Sequence, residues 1–334
     1  MKKVLLAIAA VATITSCSQN EEFENPAQKA EIGFNSVVRK ATRAADTTGD
    51  NFFAFTVNSY VTEGEYSGVT ALGDAYMNEI SYTRTDNTAP WSASGENLKT
   101  YYWPSMNSGK KVQFFAFPTA SPTPYFLPAT GYPYISFTVD NAIASQKDLI
   151  VAYAANVTSE SEGVNNGTLT LDFKHVLTRI NFAYIPDSED LIYDITEISI
   201  TDVQGGKGKY TFDASNGSWD LNEATASSYT YDVEKSTTLV SGKNYYSLAK
   251  ENGSWMLFPQ KVGKKVISIK YSTKQGKMEV YSGTKTVTLP DNAEWGLGQN
   301  VLYVLTLPAG GTQAQLDTKV SGWNAVTEDE KTAK

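Results

Sequence analysis

The sequence predicts an all-β protein, and three observations support that class. Tyrosine, phenylalanine and tryptophan are abundant (20, 14 and 6 residues) among many Thr, Val, Ser and Gly, a composition typical of strands and turns. Beyond the N-terminus, no long stretch places Ala, Leu, Glu and Lys at helical spacing. Short strand-like runs recur at about 8–12 residues with turn residues between them, as in β-sandwiches.

The length and net charge of the chain limit how many domains it can form and which partners it is expected to bind. A chain of 334 residues is long enough for two domains and for a core that needs neither disulfides nor metals. The net charge is −8, and the charges are scattered, so nucleic acid and anionic lipid surfaces are not expected partners. Cys17 is the only cysteine, which excludes an intrachain disulfide.

Residues 1–16 predict a lipoprotein signal peptide that is not part of the fold. Lys2 and Lys3 precede an apolar run, residues 4–14, that is too short to span a bilayer. The run ends in "ITSC", which resembles a bacterial lipobox, so Cys17 is the expected lipid attachment site. A secretory signal with a chance cysteine is the alternative. The following "SQNEEFE" resembles the export signals of surface lipoproteins in Bacteroidetes and also suits a hydrophilic tether.

Residues 30–43 join a core-seeking strand to a loop that is easily cut. One face of the strand is mostly apolar and carries Ile32, Phe34, Ser36 and Val38. Arg39 and Arg43 follow among small residues, a composition typical of an exposed protease site. We predict that residues 17–43 form a propeptide with a removable strand, which is cut after Arg43 or, alternatively, Arg39. A disordered spacer is the competing interpretation.

The central part of the chain predicts buried strands on both sides of a domain boundary. Residues 112–117 are apolar on both parities, apart from Gln113, and therefore suggest a strand that is buried on two faces. Residues 168–173 alternate cleanly, and His175, the only histidine, continues the inward parity as an expected core or turn residue. The "PDSED" segment at 186–190 predicts the boundary between β-sandwich domains at residues 44–186 and 187–311.

Few residues suggest catalytic or metal chemistry. No nucleophile elbow, zinc-protease motif or Cys–His combination is present, and one histidine cannot build a His-rich metal site. A carboxylate pair of the glycosidase type is not singled out by spacing. "GGKGK" at 205–209 lacks P-loop spacing and favours a hairpin turn. Four aromatic residues suit either core packing or stacking on sugars: Trp91, Tyr101, Tyr102 and Trp103.

The C-terminal segment, residues 312–334, matches the pattern of the N-terminal strand. Its inward positions are Ala314, Leu316, Thr318 and Val320, again with a small hydroxyl residue third and valine fourth. Loss of the N-terminal strand would open an apolar groove, and this segment of a neighbouring copy would fill it by strand addition. Such a joint is head-to-tail and propagates as a fibre. An ordinary edge strand is the competing interpretation, and the tail after Val320 is read either as more donor strand, reaching Trp323 and Val326, or as a solvated end.

Most of the chain resembles the fimbrillin family, the type V pilins of Bacteroidales. The resemblance rests on the lipobox at Cys17 and on "WSASGENLKTYYWPSMNSGKKVQFFAF", "DLIVAYA", "LDFKHVLTRINF" and "GQNVLYVLTL" in this order. It implies two transthyretin-like β-sandwich domains, lipoprotein export, cleavage by an arginine-specific surface protease, and assembly by strand exchange. Arg43 in "KATRAAD" matches the processing position, which favours a polymerising subunit over an anchor subunit.

The expected function is that of a shaft or tip pilin without catalytic activity or cofactor. The expected partners are copies of itself or related pilins, the arginine-specific protease, an outer-membrane lipid anchor on the precursor, and a host or bacterial receptor. The precursor is expected in the outer membrane and the mature subunit in the fimbrium. The alternative from another class is a non-polymerising, carbohydrate-binding surface lipoprotein, which would keep its N-terminus after Cys17.

Overall fold

The computed structural model describes residues 30–38, 47–48, 50–96, 98–119, 124–215, 217–235, 238–249, 253–310 and 313–323. Regular structure in these ranges consists of strands and two short 3-10 helices, Met106–Ser108 and Ile143–Ser145. The all-β prediction is therefore confirmed. No helix in the described ranges has the length and apolar character needed to cross a bilayer.

The strands are numbered in chain order. The first ten are β1 Gly33–Val38, β2 Ala54–Thr62, β3 Ala75–Thr83, β4 Ser92–Ser94, β5 Lys111–Pro118, β6 Tyr125–Phe126, β7 Tyr134–Val139, β8 Ile150–Val157, β9 Val164–Asn165 and β10 Thr168–His175. The others are β11 Thr178–Pro186, β12 Ile192–Thr211, β13 Ser218–Asp220, β14 Ala224–Tyr231, β15 Tyr246–Ser247, β16 Trp255–Leu257, β17 Gln260–Lys261, β18 Val266–Gln275, β19 Met278–Thr288, β20 Glu294–Trp295, β21 Gln299–Leu307 and β22 Gln315–Gly322.

The first sandwich is one curled sheet in the order β1-β10-β8-β5-β2-β3-β4, with β9 also paired to β10. The pairing of β1 with β10 is parallel, whereas the other ladders of this sheet are antiparallel. Curling brings β1 over strands that are not its neighbours, because Phe34 contacts rings on β2, β3 and β5. The first core lies between these two parts of the sheet.

The second sandwich packs two sheets around the second core. One sheet runs β15-β11-β21-β22, with β16 on β11, and the other runs β19-β18-β12-β7-β6, with β13 and β14 on β12. Three of its strands, β6, β7 and β11, precede the predicted boundary at residue 187, and two of them, β7 and β11, pair with β12 and β21, which follow it. The ladders therefore do not divide at the "PDSED" segment, since strand pairing between distant parts of the chain overrides a local turn signal.

Strand β5 contributes to both cores, as its apolar residues on both parities predict. Phe114 packs in the first core and Phe115 in the second, and both are completely buried. Gln113 on the same strand is also buried, and its side-chain amide is satisfied because it donates to the Thr62 hydroxyl at 3.2 Å and to the Asn156 side-chain oxygen at 2.7 Å. The same strand is thus a wall that the two cores share.

The prediction of a hairpin turn at "GGKGK" is wrong. Residues 205–209 lie inside the long strand β12, where Gly206 pairs with both Ala224 and Val139. The glycines serve packing instead: a Cβ on Gly205 would lie 2.1 Å from the Tyr229 hydroxyl, and one on Gly208 would lie 2.8 Å from the Phe258 ring. These aromatic rings come from distant parts of the chain, so the local sequence points to a turn where the fold needs a close approach.

Candidate strand-exchange site

The site begins with β1, which lies in parallel beside β10 from Gly33 opposite Thr168 to Val38 opposite Phe173. On its other side, the residues just before β1 bond to residues 101–103: the Ile32 amide donates to the Tyr101 carbonyl at 2.8 Å, and the Trp103 amide donates to the Ala30 carbonyl at 3.0 Å. The strand is therefore held between a full ladder and a short bridge.

The side chain of Phe34 occupies the centre of the first core. Its ring meets those of Phe55, Tyr82 and Phe114 edge-on, with centroid separations of 5.9, 4.8 and 5.6 Å. Edge-to-face contacts of this kind add specificity to the burial of apolar surface. Phe34 is 3% exposed, so removal of this one side chain would open space among three aromatic rings.

The remaining predicted positions of this strand also face inward. Ile32 and Val38 are buried, whereas Val37 on the opposite face is 48% exposed. The Ser36 hydroxyl accepts a hydrogen bond from the indole N–H of Trp91 at 3.1 Å, which explains a small polar residue at the third position. Alternation thus places Ile32, Phe34, Ser36 and Val38 together on the core side.

Burial changes the acid–base behaviour of the tyrosine beside Phe34. Desolvation, with smaller effects from Tyr101 and Glu31, raises the pKa of Tyr82 to about 12. The Tyr82 hydroxyl therefore stays neutral far above physiological pH. The site is apolar and uncharged, so complementarity here depends on shape and hydrophobic burial.

Three of the predicted donor residues, Leu316, Thr318 and Val320, lie on β22 at the edge of the second sandwich, and Ala314 lies just before it. Strand β22 pairs antiparallel with β21, with Leu316 opposite Leu305 and Val320 opposite Val301. Ala314 and Leu316 are half-buried against the second core, whereas Thr318 and Val320 are exposed. Of the four predicted inward positions, therefore, only the first two pack against a core within the subunit.

The strand β22 ends at a large buried anchor. Trp323 is 3% exposed and stacks on the His175 ring with a centroid separation of 4.1 Å and an interplanar angle of 7°. The Arg179 guanidinium lies 5.4 Å from the centre of the indole. The backbone N–H of Trp323 donates to the Gly298 carbonyl at 2.7 Å. Trp323 is therefore buried although Ser321 and Gly322 before it are exposed, and Val326 lies outside the described residues.

His175 is a buried core residue, as the inward parity predicts. Its Nδ1 lies 2.9 Å from Oδ2 of Asp148, and the backbone N–H of Thr47 donates to the same oxygen at 2.8 Å. Within the described ranges, no three His, Cys, Asp or Glu side chains gather in a way that suits a metal ion. The predicted residues Cys17, Arg39 and Arg43 lie outside the described residues.

The aromatic residues that suit stacking on sugars divide into two pairs. Trp91 and Trp103 are buried, and each indole N–H donates a hydrogen bond within the protein. Trp91 donates to the Ser36 hydroxyl, and Trp103 donates to the Gly167 carbonyl at 2.8 Å. Tyr101 is half-buried and Tyr102 is 40% exposed. The two tryptophans therefore pack in the core, and neither presents a face to a ligand.

Comparisons with known proteins agree with this architecture. The fimbrillin-like family model matches residues 41–323. The fimbrium subunit Fim1C of Phocaeicola vulgatus is 25% identical to this chain over an alignment of 381 positions, gaps included, which covers 96% of each chain. The crystal structure of a fimbrial protein from Bacteroides vulgatus has a TM-score of 0.66 at 21% identity and covers 88% of this chain and 99% of its own.

A second solved structure shares the fold at greater distance. It is that of a candidate cell adhesion protein from Bacteroides uniformis, with a TM-score of 0.52 and 15% identity over 88% of this chain and 99% of its own. The family match spans both sandwiches, from before β2 to Trp323. This chain belongs to the fimbrillin-like family.

Proposed function

We propose that the protein is a shaft or tip subunit of surface fimbriae that polymerises by strand exchange and serves cell adhesion. In this proposal, Cys17 carries the lipid of the precursor in the outer membrane. An arginine-specific protease then cuts after Arg43, or after Arg39, and β1 leaves the first sandwich. The subunit has no catalytic role, and its partners are copies of itself or related subunits and a surface receptor.

The seating of Phe34 is the observation that carries the proposal. Strand β1 is a short edge strand of the first sheet. The side chain of its residue Phe34 fills a site lined by three other aromatic rings. If β1 left, it would leave an apolar groove, and the edge of β10 that bonds β1 would present unpaired backbone N–H and C=O groups. Each large side chain that refills the groove contributes about 1.5–3 kcal/mol of burial free energy, so a matching strand binds tightly.

Strand β22 suits the role of donor because most of its side chains are not packed in their own subunit. Thr318 and Val320 are exposed, and Ala314, Leu316 and the terminal Trp323 pack on the second core. In the proposed joint, the antiparallel backbone bonds to β21 are exchanged for parallel bonds to β10 of a neighbour, such as β1 makes before it leaves. Because donor and acceptor surfaces differ, the contact does not close and each addition creates the next site.

The N-terminal residue of protein sheared from intact cells tests this proposal. We expect Ala44 after cleavage at Arg43, or Lys40 after cleavage at Arg39. A precursor with both arginines replaced by glutamine should remain monomeric on the surface, whereas replacement of Lys40 alone should not block assembly. Lipid-modified Cys17 on all of the surface protein would contradict the proposal and favour a non-polymerising, carbohydrate-binding lipoprotein.

A further inference from the structure

The hydrogen bond between Trp91 and Ser36 is a polar contact beside the apolar side chains of the first core. The indole N–H of Trp91 donates to the Ser36 hydroxyl at 3.1 Å. We infer that Trp91 selects donor strands that carry a hydroxyl residue at the third inward position, which is Thr318 in β22. This inference rests on the proposed strand exchange, and it names the pair of residues that aligns the incoming strand.

Trp91 is held by neighbours that stay in the subunit when β1 leaves. It directly precedes the edge strand β4, and its ring meets that of Phe55 edge-on with a centroid separation of 4.7 Å. The Arg84 guanidinium lies 4.7 Å from the centre of the indole, and Arg84 Nε donates to the Phe52 carbonyl at 2.9 Å. Trp91 is only 9% exposed. Its N–H group therefore keeps its position beside the groove after β1 has gone.

Loss of β1 removes the hydrogen-bond acceptor of this indole. In the open groove, water can accept the bond instead. A donor strand that enters the groove displaces the water, and a buried N–H group without a partner then weakens binding. An aliphatic side chain at the third inward position cannot accept the bond, whereas a serine or threonine hydroxyl can. The joint should therefore discriminate between donor strands by a single hydroxyl group.

Thr318 comes to Trp91 when the donor repeats the register of β1. Ser36 lies opposite Leu171, within the parallel ladder that β1 forms with β10. The inward residues of β22 have the same order, in the same chain direction, as those of β1: two apolar positions, a small hydroxyl residue and valine. A donor that matches this pattern therefore places Thr318 opposite Leu171 of the acceptor, where Ser36 lay.

The hydroxyl also excludes a register error that the apolar pattern alone tolerates. A slip of one residue turns every donor side chain to the wrong face, whereas a slip of two residues keeps the face. After a two-residue slip, Leu316 or Val320 would lie beside Trp91, and neither side chain accepts a hydrogen bond. Thr318 is the one hydroxyl residue among the four inward positions, so only the matched register satisfies the indole N–H.

Thr318 contributes little to the fold of its own subunit. It lies opposite Tyr303 in the ladder between β22 and β21, and its side chain is exposed to water. In the joint, the same hydroxyl would accept a hydrogen bond from a buried donor. Substitutions at Thr318 should therefore change the joint and leave the free subunit folded, which makes the pair open to a direct test.

Dissociation rates of joints between one donor and one acceptor test the pair. The full-length donor carries Arg39→Gln and Arg43→Gln, so that β1 stays in place and the donor cannot accept. The acceptor carries Val320→Asp, so that it cannot donate, and it is cleaved with an arginine-specific protease and immobilised on a sensor surface. The donor has Thr318, Thr318→Ser or Thr318→Val, and the acceptor has Trp91 or Trp91→Phe.

The expected result is a loss of binding that depends on both residues. Thr318→Val should speed dissociation from the Trp91 acceptor by at least about tenfold, because it leaves a buried N–H unpaired. Thr318→Ser keeps the hydroxyl and should have a much smaller effect. On the Trp91→Phe acceptor, which lacks the N–H, the Thr318 and Thr318→Val donors should dissociate at similar rates. Lys319→Ala in the donor is the matched control, because this side chain is exposed and bonds Asp317 on its own strand.

Each contrary outcome has a distinct meaning. Equal dissociation of the Thr318 and Thr318→Val donors from the Trp91 acceptor would overturn the inference, and so would an equal effect of Thr318→Val on both acceptors. If the Thr318 donor forms no joint with the Trp91 acceptor, the proposed strand exchange itself fails, and the inference fails with it.

A second measurement does not depend on the folding of the Trp91→Phe acceptor. Melting temperatures show whether each variant is folded, and the nuclear magnetic resonance signal of the Trp91 indole proton reports its hydrogen bond directly. This signal should move downfield when the Thr318 donor binds, but not when the Thr318→Val donor binds. The same signal position with both donors would show that the hydroxyl does not accept from Trp91.

Discussion

The ring of Phe34 meets the ring of Tyr82 edge-on, with a centroid separation of 4.8 Å and an interplanar angle of 80°. One residue belongs to the terminal strand β1 and the other to β3, which is not its neighbour in the sheet. The contact therefore reports directly whether β1 is present in the first sandwich.

Removal of β1 should change the titration of Tyr82. The pKa of Tyr82 is about 12 with the strand in place, against an ordinary value of 10. Because exposure removes the desolvation that raises this pKa, we expect it to fall towards 10 in the cleaved subunit before assembly. The absorbance of the phenolate, compared between chains with and without Tyr82→Phe, measures this change. An unchanged titration of Tyr82 after cleavage would show that the groove stays filled.

The same raised pKa predicts how stability depends on pH. A group whose pKa is higher in the folded state than in the unfolded state gives its full contribution below the unfolded value. For Tyr82 this contribution is present below pH 10 and is lost as the pH rises towards 12. Tyr82→Phe should therefore flatten the alkaline decline of the free energy of unfolding, as measured by denaturant titrations across this pH range. A decline of the same steepness in the variant would contradict the assignment.

Truncation of Phe34 should weaken the precursor strongly. Phe34→Ala leaves a cavity among three rings, and replacements of this kind cost about 3–5 kcal/mol of unfolding free energy. The matched control is Val37→Ala on the exposed face of β1, for which we expect a change within about 0.5 kcal/mol. Denaturant unfolding of the uncleaved chain measures both values. Similar losses in the two variants would show that β1 is not packed by its inward face.

A charge on the exposed end of β22 should separate folding from assembly. Val320 is 54% exposed in the free subunit, so Val320→Asp should leave the melting temperature nearly unchanged. In the proposed joint the same carboxylate would enter an apolar groove without a partner, which is costly. We expect monomers where the unsubstituted subunit forms ladders on a denaturant-free gel. Lys319→Ala should still polymerise, and ladders from Val320→Asp would refute the donor assignment.

The close approach of the Phe258 ring to Gly208 in β12 should make substitution of this glycine destabilising. Gly208→Ala would place a Cβ 2.8 Å from the Phe258 ring, and overpacking of a well-packed core costs about 1–3 kcal/mol. Gly310→Ala is the control, because the space around Gly310 is open. Thermal unfolding should show a lower melting temperature for the first variant only. A neutral Gly208→Ala would mean that the ring moves aside without cost.

Parts of the fold that depend on local pattern could be predicted from sequence, whereas parts that depend on distant partners could not. Strand β5 was recognisable because apolar residues on both parities indicate two buried faces. The role of Gly208 was hidden, since Phe258 lies 50 residues away. The parallel pairing of β11 with β21 likewise has no local signal. For the site, alternation placed Phe34 inward, but the burial of Trp323 depends on His175 and Arg179 from another part of the chain.

The wall that the two cores share has a mechanical consequence for a fibre. Phe114 and Phe115 are neighbours on one strand, yet each is anchored in a different core. A load on the first sandwich is therefore carried into the second through a packed interior, which transmits strain, and in the described part of the chain strand β5 joins the two cores directly. If the proposed strand exchange is correct, a filament of such subunits would bend mainly at its joints, and its stiffness would depend on the contacts of each donor strand.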